Sequence, residues 1–388
     1  MVTGMKKIAI IGASYLQEPL IQKAKNMGLE THVFAWECDD VGERSADVFY
    51  PISTVEKEKI YQKCMEIGID GICSIASDVA AVTVDFVANR MGLVGNSQES
   101  SLLSSNKRKM REAFEVNGDP SPKCIAVEGI GDLNGMDLQY PVIVKPVDRS
   151  GSRGITKLIT SIGLEEAIEY AKSQGFLRYV LVEEFAEGSE YSVECISFNG
   201  VHRLLAITQK YTTGSPHFIE IAHLEPAQLA ENTKKKIENV TFHALDSLQI
   251  KNGASHTELK IDDKGNILLI EIGARMGGDC IGSHLVSIST GIDFVKAVIQ
   301  IALGEKPSLD SNGRHYASAV RYIFTEEDHE VYRDIINTHP EYIVYSEIPD
   351  FSNEIVTDSS TRHGFYVFAA PNVNQLLPYL PDKEQILN

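Results

Sequence analysis

The chain has no surplus of basic residues: 36 lysines and arginines stand against 54 aspartates and glutamates in 388 residues, a formal charge of −18. Binding a phosphate backbone or an anionic lipid surface needs clustered Lys and Arg, so neither nucleic acid nor membrane is an expected partner. A nucleotide, whose few phosphates need only a few local cations, stays open. No stretch approaches the roughly 20 apolar residues of a membrane-spanning helix. Met1 to Ile11 is apolar only from Ile8, too short a run for a signal peptide. There is no Cys-x-x-Cys pair; Cys38, Cys64, Cys73, Cys124, Cys195 and Cys280 are dispersed, which predicts reduced core thiols in a cytoplasmic protein. Two phosphate-binding fingerprints are missing as well. Gly12-Ala13-Ser14 falls short of the dinucleotide motif and reads better as a tight strand-to-helix turn, and no segment has Walker A spacing. His202, His223 and His243 have no metal-ligand spacing and read as structural or surface residues.

What is present is enough chain for two or three domains with a large core. Lys6–Gly12, Thr31–Trp36 and Gly71–Ile75 read as strands, and Pro19–Met27 and Ile52–Ile67 as helices. That alternation predicts a parallel sheet with crossover helices over residues 1–103. Residues 104–310 mix strands such as Val142–Lys145 and Val180–Glu184 with helices such as Leu164–Gln174, and carry the dense polar motifs. Residues 311–388 read as a smaller α+β unit: a strand at Tyr316–Phe324, a helix at Glu327–Thr338 and a strand at Gly364–Ala369.

The segment His256 to Arg275 reads as an antiparallel hairpin around an Asp-Asp-Lys-Gly-Asn cluster. With a four-residue loop, Asp263–Asn266, Glu258 lies opposite Glu271 on one face. Two facing carboxylates repel unless a cation sits between them, and hard oxygen ligands beside a triphosphate suit Mg²⁺. A five-residue loop would separate the two faces. Lys145 ends a buried strand, where a lysine is either simply solvated or a point charge for a phosphate. The loop Asp148-Arg149-Ser150-Gly151-Ser152-Arg153-Gly154 favours the phosphate, being rich in backbone amides, hydroxyls and arginine that can close over a polyphosphate. After the strand Val180–Glu184, extended backbone at Glu184–Ala186 can bond an adenine edge and Glu190 can accept from ribose hydroxyls; alone, this acidic run is a solvated connection. Gly277 and Gly278 permit close approach to an anionic substrate or form a tight turn into a helix. Gln209 to Phe218 reads as a polar loop between strands that lines an acceptor pocket, with His217 and Glu220 as candidates, although an exposed loop histidine is more often inert.

In order along roughly residues 1–310, Lys107 near a helix start, Lys145 in Val-Lys-Pro, Ser-Gly-Ser-Arg-Gly, Glu-Glu-Phe-Ala-Glu-Gly-Ser-Glu and the Glu258/Glu271 hairpin resemble the ATP-grasp superfamily. The resemblance implies an ATP-grasp fold with an N-terminal parallel-sheet pre-ATP-grasp domain and a small C-terminal α+β domain. It implies ATP and Mg²⁺, with Mn²⁺ as a substitute. Lys107 and Lys145 would contact phosphates, with Ser150, Gly151, Ser152 and Gly154 closing over them. Glu183, Glu184, Phe185 and Ala186 would hold adenine, Glu190 the ribose, Glu258 and Glu271 the metal, and Arg275 the transferring phosphate. Glu271-Ile272-Gly273 departs from the common Glu-x-Asn, so an asparagine ligand is absent. Glu-Ile-Gly-Ala-Arg-Met-Gly-Gly is similar to the dipeptide-forming L-amino-acid ligase branch.

The implied chemistry activates a carboxylate as an acyl phosphate, which an amine then attacks to give an amide, ADP and phosphate. The implied partners are a small carboxylate and an amine, both amino-acid-like, with room for a homodimer. Two alternatives stand beside this one: an ATP-grasp enzyme of another class, such as a purine-pathway ligase or bicarbonate-using carboxylase, and a non-catalytic ATP-binding module. The first would more often show Glu-x-Asn, and the second has no need of both lysines, both carboxylates and Arg275.

Overall fold

The computed structural model describes residues 4–149, 153–215, 218–349 and 355–381, so Ser150, Gly151, Ser152 and His217 lie outside the described residues. At the N-terminal end, strands β1 (Lys7–Ile11), β2 (Glu30–Phe34), β3 (Val48–Tyr50) and β4 (Gly71–Cys73) form a parallel sheet in the order β3-β2-β1-β4. An alternating strand feeds two cores. Ile8 and Ile10 pack with Leu20, Ile21 and Ala24 on one face. Ala9 and Ile11 pack with Ile60, Cys64, Val87 and Ala88 on the other. Burial on both faces is what a parallel sheet with crossover helices requires. The expected helix at 52–67 begins only at Lys57, because Ser53 to Glu56 close a turn through Glu56 N–H donating to Ser53 O at 2.9 Å. The dispersed cysteines are free, but only four are buried: Cys38 is exposed and Cys124 half-buried, so neither is a core thiol.

Strands β5 (Cys124–Val127), β6 (Val142–Pro146), β7 (Thr156–Leu158) and β8 (Val180–Glu184) make a second, antiparallel sheet ordered β5-β8-β6-β7. The helix Leu164–Gln174 covers it with Leu164, Ala167, Ile168 and Ala171, a stripe at the 3–4 residue spacing of one helix face.

The third sheet has eight strands: β9 (Ser189–Phe198), β10 (Val201–Thr212), β11 (Glu220–Glu225), β12 (Gly253–Ile261), β13 (Ile267–Gly273), β14 (Ala317–Tyr322), β15 (Ile343–Glu347) and β16 (Phe365–Ala370). Their order is β13-β12-β9-β10-β11-β14-β16-β15. The sheet therefore runs across residue 310: β11 bonds β14 with His223 opposite Val320, and Ile219 and Ile221 share a core with Tyr322, Tyr366 and Phe368. The polar loop expected at Gln209–Phe218 begins only after Thr212. Gln209 to Thr212 belong to β10, where Thr208 and Lys210 are buried and bonded to glutamates of other strands. Polar residues inside a sheet imitate a loop when their partners lie elsewhere in the chain. No single helix among the described residues is long and apolar enough to cross a membrane.

The β12–β13 hairpin reaches the expected pairing by an unexpected route. Its loop has five residues, Asp262–Asn266, since Ile261 pairs with Ile267. A bulge between Glu258 and Leu259 leaves Ile270 unopposed and restores Glu258 opposite Glu271. The carbonyl of the unopposed Ile270 accepts from Arg111 Nη2 at 2.8 Å.

Glu225 at the end of β11 is fully buried, with Thr208 Oγ1 donating to Oε2 at 2.7 Å and Ser289 Oγ donating to Oε1. Burial pushes its carboxyl up to about 7, against an ordinary value of 4.5 and despite the two hydroxyl donors. The folded chain thus holds the extra proton between those values, and stability falls as pH rises from 4.5 through about 7. Glu225→Gln is expected to flatten that fall in denaturant midpoints compared at about pH 5 and pH 8. An unchanged slope would contradict it.

Candidate functional site

A cavity of about 360 Å³ opens where the two antiparallel sheets and the N-terminal unit meet. It is lined by Lys107, Lys145, Glu183 to Ala186, Glu190, Glu220, Glu258, Glu271, Arg275 and Gly278. Residues drawn from sequence positions 107 to 278 thus converge on one space. Gly154 and Gly277 do not line it. Gly154 sits at φ +72° beside Gln174 and Pro146, and a Cβ on Gly277 would come within 2.5 Å of Glu194 Oε1. Gly277 N–H donates to Glu194 Oε2 at 2.9 Å, so its smallness serves packing against that carboxylate.

Lys145 is brought in by the end of β6 and Glu183 by β8, the antiparallel neighbour. Lys145 Nζ lies 2.6 Å from Glu183 Oε2. Arg111 grips the same carboxylate through Nε at 3.0 Å and Nη2 at 3.3 Å. Burial lowers the Lys145 pKa, with Arg111 and Lys107 adding to the effect and Glu183 opposing it. Glu183 is held below the usual carboxylate range, because Arg111 and Lys145 outweigh its burial. Its carboxylate is therefore committed to two cations. Nearby, Lys157 Nζ stands 3.6 Å and Lys260 Nζ 4.9 Å from the centroid of the Phe185 ring, within cation–π range.

Glu258 and Glu271 each meet a lysine. Lys107, first residue of the helix Lys107–Asn117, donates from Nζ to Glu271 Oε1 and to Arg149 O, both at 2.7 Å. Lys210, 3% exposed, lies 2.7 Å from Glu258 Oε1, 3.0 Å from Glu190 Oε1 and 3.6 Å from Glu220 Oε1. Burial would lower the Lys210 pKa, but these three glutamates hold it well above the ordinary lysine value. Burial would likewise raise Glu258, yet Lys210 and His256 hold it well below the usual range. His256 Nε2 is 3.4 Å from Glu258 Oε1, and its Nδ1 bonds Glu194.

Lysines and histidine take only Oε1 of each carboxylate. Among the described residues nothing bonds Oε2 of Glu258 or Glu271, and no three His, Cys, Asp or Glu side chains cluster to hold a metal. Two carboxylates with one spare oxygen each fit Mg²⁺, which keeps several waters and takes its other ligands from phosphate. Glu258 and Glu271 would hold it.

Arg275, just beyond β13, is forked by Asp78 of the N-terminal unit, Nε to Oδ1 at 2.8 Å and Nη2 to Oδ2 at 3.2 Å. Elsewhere in the lining, Asp279 is forked by Arg362 at 2.8 and 3.0 Å, and Glu220 Oε2 accepts from Ser359 Oγ at 2.9 Å. Arg111, Lys210, Asp78 and the Asp279–Arg362 pair went unread in the sequence. Arg111 had a local signal, lying four residues after Lys107 and so on the same helix face. Lys210 had a weaker one, alternating with Thr208 and Thr212 in a β-rich stretch.

Residues 138–283 match the ATP-grasp domain family. Alanine–anticapsin ligase of Bacillus subtilis is 30% identical over 292 residues, 66% of this chain and 61% of that protein. Matches to such ligases from Bacillus span 45% to 61% of the relative's length, less than two thirds. The crystal structure of an L-amino acid ligase from Bacillus licheniformis superposes with a TM-score of 0.83 at 23% identity, covering 96% of each chain. N5-carboxyaminoimidazole synthetase from Staphylococcus aureus, solved with ADP, gives 0.77 at 16%, covering 96% of this chain and 95% of that one. At such identities these two structures speak to the fold, which is ATP-grasp. The matched ATP-grasp domain lies at the centre of that fold, with its motifs gathered on one cavity.

Proposed function

We propose that the protein is an ATP- and Mg²⁺-dependent carboxylate–amine ligase acting on small, amino-acid-like substrates, joining them as a dipeptide-like amide. One observation carries this reading: the cavity's cations and anions already neutralise one another in a shared network, which a magnesium–triphosphate, carrying both signs, can enter. Lys107 and Lys145, now against Glu271 and Glu183, would turn to phosphate oxygens. Glu258 and Glu271 keep oxygens for the metal, which when bound would neutralise phosphoryl charge as a Lewis acid. The likeness to alanine–anticapsin ligase and to the L-amino acid ligase fold favours amino acids as substrates.

The chain's own residues then divide the work. Lys107 and Lys145 orient the phosphates, and Arg275 offsets charge that develops on the group being transferred. Glu220 and Asp279, which also line the cavity, suit the ammonium of an acceptor, with Ser359 and Arg362 fixing their directions. No cysteine lines the cavity among the described residues, and burial pushes the Cys73 thiol up to about 12, so no thiol nucleophile is part of this chemistry. The acyl group is carried on phosphate. Such an intermediate hydrolyses readily, so water must be kept out while the amine attacks.

A phosphate-release screen over pairs of amino acids, with ATP and Mg²⁺ and mass spectrometry of active wells, tests the reading. Release dependent on a particular pair, with a condensed product, is expected. Silence for every pair, with turnover on bicarbonate or a nucleotide precursor, would overturn it. In the active assay Glu271→Ala should abolish phosphate release, with a thermal transition that is lowered by the loss of the Lys107 partner but still cooperative. Arg275→Ala should lower kcat by on the order of 10²–10³-fold, the usual cost of one charge-stabilising donor. Wild-type turnover in either variant would refute that residue's role.

A further inference from the structure

The departure Glu271-Ile272-Gly273 has a structural counterpart outside the ATP-grasp domain. A Cβ placed on Gly273 would lie 2.7 Å from Asp78 Oδ1 and 3.2 Å from Arg275 Nε. The space that a side chain at 273 would fill is occupied by a carboxylate arriving from the N-terminal unit. We propose that Asp78 is the positioning residue for Arg275, and that glycine at 273 is what admits it. The proposal deepens the ligase reading and rests on its assignment of Arg275 to the transferring phosphate.

Three features hold the arrangement. Asp78 is the first residue of the helix Asp78–Met91, capped by Ser77, whose Oγ accepts from Ala80 N at 3.3 Å. The preceding Ala76 has φ 60°, a costly left-handed conformation for alanine, and its N–H donates to Met276 O at 3.2 Å. The backbone next to Arg275 is thereby tied to the segment that carries Asp78. The carboxylate then meets the guanidinium side-on through both oxygens, at 2.8 and 3.2 Å, while Nη1 reaches Met276 O at 3.3 Å.

A guanidinium has five N–H donors. Two go to Asp78 and one to Met276 O, which leaves one on Nη1 and one on Nη2, on a side chain that lines the cavity. The fork fixes the plane of the group and hence the direction of those two donors. The pair is mostly buried, with 15% of the Arg275 and 23% of the Asp78 side chain exposed. Burial would raise the Asp78 carboxyl, but Arg275, Lys107 and His256 hold it below the usual range, so it is an anion at neutral pH. An asparagine at 273 would push this carboxylate off the arginine. A ligand given up on the metal strand is thus exchanged for an orienting contact on the transfer arginine.

The test uses the full chain with ATP, Mg²⁺ and an equimolar mixture of the twenty amino acids, following phosphate release. Asp78→Ala should lower kcat by on the order of tens of fold, with KM for ATP little changed and a thermal transition that is lowered but still cooperative. Asp78→Glu should recover part of the loss. Combining Asp78→Ala with Arg275→Ala should be no slower than Arg275→Ala alone, since one residue acts through the other. Gly273→Asn should reproduce the Asp78→Ala defect and add nothing to it in the double variant. Should Asp78→Ala not fold, Asp78→Asn, which keeps the shape and loses one acceptor oxygen, takes its place in every comparison. Wild-type kcat in the Asp78 variants while Arg275→Ala is slow would overturn the positioning role and leave the ligase reading standing. Additive losses in the double variant would also overturn it, as would Gly273→Asn at full rate. Full turnover by Arg275→Ala would instead remove the reading beneath it.

Discussion

Two carboxylates on neighbouring strands, Glu258 and Glu271, face each other across a ladder, and the chain sets a lysine against each of them. Unit charges about 4 Å apart in a partly buried site interact on the order of 4 kcal/mol, comparable to a whole domain's margin of stability. Lys210 reaches Glu258 from β10, two strands away in the sheet order, and Lys107 reaches Glu271 from the start of a helix. Each lysine ties together elements that need not otherwise meet. Arg111, on the same helix as Lys107, extends the set by holding Glu183 and the bulged carbonyl of Ile270.

The same pairing describes a resting charge pattern and the means of changing it. A buried ion pair contributes little net stability when formed but costs much when one partner is removed. A magnesium–triphosphate brings both signs at once, so it can take lysines and carboxylates from each other without leaving either uncompensated. Arg275 fits the same logic with a partner from further away. Its fork with Asp78 links the N-terminal unit to the end of β13, so the parallel-sheet unit takes part in the site directly.

Much of this was legible in the sequence, for a physical reason. Lys145, Glu183, Glu271 and Arg275 are polar residues at or just after the ends of apolar strands, where the hydrophobic pattern announces the strand and the charge stands out against it. The parallel sheet was readable from its alternation with helices; the strands expected at 316–324 and 364–369 and the helix at 327–338 fell within two residues, while β15 went unread. The hairpin was right in outcome and wrong in route: a five-residue loop alone would have separated the two glutamates, and the bulge at Ile270 brings them back. The bulge leaves no local mark in the sequence, and the carbonyl it frees finds its partner, Arg111, on another element. Lys210 was hidden in the same way, in a strand whose polar residues find their partners on β9, β11 and β12. Asp78 stands 197 residues from Arg275, a distance over which no periodicity speaks. The glycine at 273 was visible as a departure, but only the fold shows what fills the space.

The claim everything else depends on is that Glu258 and Glu271 make nucleotide binding depend on a divalent cation. Isothermal titration of ATP into the protein, with and without Mg²⁺, tests it without any substrate, in the wild-type chain and in the Glu258→Gln/Glu271→Gln double variant. The expected result is that Mg²⁺ markedly tightens ATP binding to the wild-type chain and that this gain disappears in the double variant. An equal magnesium-dependent gain in both proteins would contradict the assignment.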